Sequence, residues 1–145
     1  MKRKKFHKLP YTPRSKKKKE ILTKYAPDFT KLQIKYSARI QKEWVGDWNA
    51  EKNIIKIHKD LDIVDKYGVI IHEFIEMMVT SLMGIPGYPH PDYDQEIHGE
   101  RNLTAHNFAN SVEKRILEMA NVEWDAHEER VLKVRNNKNK KKKTK

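Results

Sequence analysis

Residues 70–78 read IIHEFIEMM, a run that is apolar except at His72, Glu73 and Glu76. At helical pitch His72 and Glu76 are four apart and stack on one face, with Glu73 beside that stripe. Val69, Ile70, Ile71, Phe74, Ile75, Met77, Met78 and Val79 fill the other directions, so the pattern predicts a helix buried all round. Buried carboxylates are strongly disfavoured unless a cation compensates them. A metal ion held by His72 and Glu76 is the simplest compensation.

The neighbouring segments define the setting. The helix is expected from Lys66 to Met83, after a capping Asp60 or Asp62, and is stopped by Gly84, Pro86 and Gly87. Upstream, patchy alternation between Leu32 and Trp44 and the alternating run Asn53–His58 read as strands, with Gly46-Asp47-Trp48-Asn49 as the turn between them. Downstream, the stretch GIPGYPHPDYDQEIHGER (84–101) reads as a long loop. A second long helix is expected from about Leu103 to Val131, its apolar stripe formed by Ala105, Phe108, Ala109, Val112, Ile116, Met119 and Ala120. The predicted fold class is α+β: a small antiparallel sheet packed on the buried helix and on a second long helix.

The net charge of +11 over 145 residues is unevenly distributed. Residues 1–20 carry ten Lys/Arg and one acid, residues 130–145 carry nine Lys/Arg and none, and the stretch between is net −7. Such basic blocks repel themselves and attract polyanions without sequence preference. The expected organisation is a disordered basic tail over 1–20, a folded domain over 21–131 and a disordered lysine-rich tail over 132–145. With no cysteine, thiolate metal sites and disulfides are excluded, and any metal must be held by nitrogen and oxygen. No apolar run approaches the ~20 residues of a membrane span, and the basic start is not followed by an apolar signal core. No membrane association and a cytoplasmic location are therefore expected.

The order of NIIKIH and VIIHEFIE resembles the strand-then-helix core of zincin metallopeptidases, with HEFIE where those proteins have HExxH. The chain is also similar to a loose group of small phage and archaeal proteins that pair an HExxE helix with a later histidine-bearing helix, a match best carried by AHNFANSVEK. The resemblance implies a zincin-like fold and a metal-dependent hydrolase in which a metal-bound water attacks an amide bond. It implies His72, Glu76 and His106 as metal ligands, Glu73 as the catalytic general base, a peptide or protein substrate, and Asn53–His58 as the strand along which that substrate lies. His72, Glu76 and His106 would keep the two-histidine, one-carboxylate composition common in zinc hydrolases, so Zn²⁺ is the expected ion.

The residues themselves leave other readings open. His98 rivals His106 for the third position, and Asp92, Asp94 or Glu113 there would favour Mn²⁺, Fe²⁺ or Mg²⁺. His7, His58 and His127 are assigned no role, and Trp44, Trp48 and Trp124 are assigned to packing. No glutamate has a histidine three residues later, which excludes the di-iron carboxylate bundle, and no phosphate-binding glycine loop or Ser or Cys nucleophile motif is present. The competing function class is a non-enzymatic nucleic-acid-associated protein that binds through its basic tails.

Overall fold

The computed structural model describes residues 27–40, 44–82 and 104–143. After a single 3-10 turn, Phe29–Lys31, three strands follow: β1 (Gln33–Ser37), β2 (Gly46–Asn49) and β3 (Ile54–His58). Three helices come next: α1 (Ile63–Leu82), α2 (Ala105–Met119) and α3 (Trp124–Lys143). The class is α+β, with α1 packed on the sheet and on α2.

The sheet is mixed, which corrects the antiparallel arrangement expected from sequence. β3 lies in the centre, antiparallel to β2 and parallel to β1, in the order β1-β3-β2. Its Ile55 and Ile57 are fully buried, whereas Gln33 to Tyr36 of β1 are exposed. The most apolar strand thus takes the position covered on both edges, and the more polar strand becomes an edge. Gly46–Asn49, expected as a turn, is strand β2. The turn falls at residues 50–53 and ends at Asn53, whose φ of 53° is in the left-handed region that asparagine tolerates.

Helix α1 begins where Asp62 caps it, its Oδ1 accepting from the backbone N–H groups of Val64 and Asp65. The helix is not buried all round. Val69, Met77 and the polar His72, Glu73, Glu76 and Thr80 are buried, whereas Ile70, Ile71, Phe74, Ile75, Met78 and Val79 are half-buried and Tyr67 is exposed. Trp48, Ala50, Ile55, Ile57, Leu61, Val69 and Met77 form the core, with Val131 and Val134 of α3 packed at its margin.

The long helix expected over 103–131 is divided in two. Asn121 adopts a φ of 58°, and the N–H groups of Asn121 and Val122 bond back to the carbonyls of Glu118 and Leu117. This is a Schellman end with asparagine in the left-handed position. Helix α2 starts at Thr104, whose Oγ1 accepts from the Asn107 N–H. Its buried face is Ala105, Ala109, Glu113 and Leu117, while Phe108, Ile116 and Met119 of the expected stripe are exposed. Two alanines allow close approach to α1, and Glu113 finds imidazole partners on α1 and α3, His72 and His127, that outweigh the burial of Ile116 and Met119. Helix α3 continues to Lys143 through residues 132–143, where lysine density predicts disorder. Once packing of its first turns has nucleated a helix, further residues add at little cost. Among the described residues no helix is long and apolar enough to cross a membrane.

Candidate metal centre

Helix α1 turns one stripe toward α2, and along it His72 and Glu76 lie one turn apart. His106, in the first turn of α2, meets them from the facing helix. Nε2 of His72 lies 3.2 Å from Oε2 of Glu76 and 3.2 Å from Nδ1 of His106, and the last two atoms are 2.9 Å apart. The three donors thus form a small, nearly equilateral triangle. Donors held about 2.0–2.1 Å from a tetrahedral zinc lie about 3.3–3.4 Å from one another, so the observed edges are close to those of one face of such a site. The His72, Glu76 and His106 cluster is therefore able to hold a metal ion.

Two of the donors are aimed by a further hydrogen bond. Nδ1–H of His72 donates to Oε2 of Glu113 at 3.1 Å, which leaves Nε2 for the triangle. The indole N–H of Trp48 on β2 donates to Oε1 of Glu76 at 2.8 Å, which leaves Oε2 for it. The His72 and His106 rings meet edge to face, 4.8 Å between centroids. The side chains of His72 and Glu76 are 10 % and 8 % exposed while that of His106 is 42 % exposed, so the cluster opens to solvent on the His106 side.

Electrostatics match this arrangement in the metal-free state. Burial opposes protonation of His72, but its bonds to Glu113 and Glu76 and the nearby Glu73 prevail and lift its pKa to about 10. Burial would raise Glu76, yet hydrogen bonds from His106, His72 and Trp48 hold it down at about 2. Glu113 is likewise lowered against its burial by bonds from His127 and His72. Glu73 behaves oppositely: burial pushes it well above the usual carboxylate range, Glu76, Asp47 and Glu113 add to the rise, and His72 opposes it. Its carboxyl packs against Gly46 of β2, where a Cβ would come within 2.7 Å of Cδ of Glu73. That close approach is what requires glycine at residue 46.

Four of the sequence-predicted residues are thus brought together: His72, Glu76 and His106 as converging donors, and Glu73 as a buried carboxyl beside them. Glu113, considered for the third ligand position, instead receives the other nitrogen of His72. His90, His98, Asp92 and Asp94 lie outside the described residues, as do residues 1–20. Asn53–His58, the strand suggested for substrate addition, is central in the sheet and has both edges occupied; β2 is the outer strand beside Glu73.

Residues assigned only packing, or no role, also belong to the site. Trp48 orients Glu76. His127, buried at 2 % exposure, donates from Nε2–H to Oε1 of Glu113 and from Nδ1–H to Oδ1 of Asp65, both at 2.8 Å. Arg130 in turn donates to both oxygens of Asp65 at 2.8 Å. The sequence contained one pointer to this set, since Asp65 lies seven residues before His72 and so on its face of α1. His58 has a structural part, its Nδ1 accepting from the Asp60 N–H in the turn that leads to α1. Comparison with family models, curated proteins and solved structures finds no match to this chain.

Proposed function

We propose that this chain is a zincin-like, metal-dependent hydrolase that cleaves amide bonds, with Zn²⁺ held by His72, Glu76 and His106. The observation that carries the reading is the 2.9–3.2 Å triangle of one carboxylate oxygen and two imidazole nitrogens, two of which are aimed by further hydrogen bonds. A zinc ion bound there would acidify water and polarise a carbonyl.

The chain's own residues supply the proton chemistry. Glu73 is buried beside the donors, and burial raises its proton affinity well above that of an ordinary carboxylate, which suits a carboxyl that takes a proton from water and returns it to the departing amine. The open His106 side admits substrate, and β2 borders Glu73 on the sheet side. A zinc-loaded preparation screened on a peptide library tests this reading. Glu73→Gln should keep the metal and lose hydrolysis by 100-fold or more, on the order of the general-base contribution; undiminished hydrolysis in that variant would refute the mechanism.

A second reading concerns partners and rests on a different observation. Beyond Val134, which packs against the core, helix α3 continues to Lys143 through a stretch that holds Arg135, Lys138 and the lysines of 140–143. We propose that this segment contacts nucleic acid or another polyanion through charge alone. Binding that falls steeply with salt and disappears on truncation after Val134 supports it; salt-independent binding, or binding retained after truncation, contradicts it.

A further inference from the structure

A polar chain runs from the metal centre to helix α3. Its links are His72 to Glu113 at 3.1 Å, Glu113 to His127 at 2.8 Å, His127 to Asp65 at 2.8 Å and Asp65 to Arg130 at 2.8 Å. We propose that Glu113 is a positioning residue that fixes the ring of His72 with Nε2 toward the metal, and that His127 and Arg130 hold Glu113 and Asp65 in place. Docking of α3 and occupation of the metal centre are then coupled. This rests on the metal reading above.

Three observations carry the inference. First, the chain is buried and fully used: Asp65, His127 and Glu113 are 1 %, 2 % and 4 % exposed, and both oxygens of each carboxylate accept a hydrogen bond. Neither imidazole of the chain has room to turn without breaking a bond to a buried carboxylate, which would leave that group unpaired.

Second, α1 has been cleared to admit the chain. Gly68 stands inside the helix, where glycine is about 1 kcal/mol worse than alanine, and a Cβ there would meet Cε1 of His127 at 2.8 Å and Oε1 of Glu113 at 3.0 Å. The glycine is explained by the approach of these two side chains.

Third, α3 meets the body through this polar chain and through Val131 and Val134, which are half-buried against the core. The ring of Trp124 lies 5.4 Å from that of His127 and closes over it. A residue that both anchors α3 and orients a metal ligand transmits each event to the other, and such coupling is reciprocal.

The test is Zn²⁺ titration by calorimetry of the full chain, of Glu113→Gln and of Arg130→Gln. It is accompanied by the visible spectrum of the Co²⁺-loaded forms and by amide hydrogen exchange of α3 with and without Zn²⁺. Glu113→Gln keeps shape and should weaken zinc about 10–100-fold, the usual effect of losing such an outer partner, and should shift the cobalt spectrum. Arg130→Gln changes the half-exposed end of the chain and leaves Asp65 its bond from His127, so it should weaken zinc by a smaller factor. Zinc should slow exchange around Ala126–Arg130 in the wild type and lose that effect in Glu113→Gln. Equal affinities, an unchanged cobalt spectrum and zinc-independent exchange of α3 would overturn the inference while leaving the metal centre standing. A wild-type chain that binds no zinc would overturn both.

Discussion

The indole N–H of Trp48 donates to Oε1 of Glu76 at 2.8 Å across the interface between β2 and α1, and Oε2 of the same carboxylate lies 2.9 Å from Nδ1 of His106. The sheet thereby decides which carboxylate oxygen faces the donor triangle. Trp48→Phe keeps most of the buried ring and removes only the donor. It should weaken zinc about tenfold, at the low end for loss of an outer partner, with little change in helix content; titration beside circular dichroism measures both.

Gly46 faces the carboxyl of Glu73 rather than one of the converging donors. A Cβ at residue 46 would meet Cδ of Glu73 and Cγ1 of Val69, each at 2.7 Å, but no donor atom among its nearest neighbours. Gly46→Ala should therefore displace Glu73 and lower hydrolysis while zinc affinity stays within a factor of about two or three. Steady-state hydrolysis and metal titration on the same preparation read the two effects apart.

Gly68→Ala should destabilise the chain although alanine is the better helix former. The propensity gain is about 1 kcal/mol, against about 1–3 kcal/mol for forcing a methyl into a filled site, here between His127, Glu113 and Leu117. Urea denaturation should show a lower midpoint, and zinc affinity should fall with it because Glu113 and His127 must move.

The pH dependence of stability follows from His127 and Asp65. Burial opposes the charged form of His127, but its bonds to Glu113 and Asp65 prevail and raise its pKa. Its contribution is thus complete below the unfolded value of about 6.5 and is lost as pH rises through the folded value. Asp65 is lowered: burial is overcome by bonds from Arg130 and His127, so its contribution is present above about 3.9 and lost as pH falls. In chelator, the denaturation midpoint of the wild type should exceed that of His127→Gln most between these two values, and the gap should narrow on both sides. His72, whose pKa is raised to about 10, tilts both chains alike on the alkaline side.

The helix that carries the site could be read from sequence because its evidence is local. Three polar residues at spacings of one and three in an apolar run, preceded by Asp62 and followed by Gly84, fix both the helix and the shared face of His72 and Glu76. Strand directions were not readable in the same way. The parallel pairing of β1 with β3 depends on which strand is apolar enough for the centre, a competition between segments rather than a property of either. The apolar stripe of α2 is displaced because Glu113 is buried, and a glutamate's place inside depends on partners from α1 and α3 that periodicity does not report. Asn121 did hold a local signal, since asparagine readily ends a helix in the left-handed region and the expected apolar stripe stops at Ala120 just before it. Trp48 and His127 reach the site from other elements, and no spacing in the chain relates them to His72.

The measurement that bears most directly on the central claim is the metal content of the purified, untagged chain by elemental analysis, beside His72→Ala, Glu76→Ala and His106→Ala. The account predicts about one zinc per wild-type chain, as a site with this donor set requires, and its loss in all three variants. A wild-type chain that carries no metal and takes up none on incubation with Zn²⁺, or variants that retain it, would contradict the account.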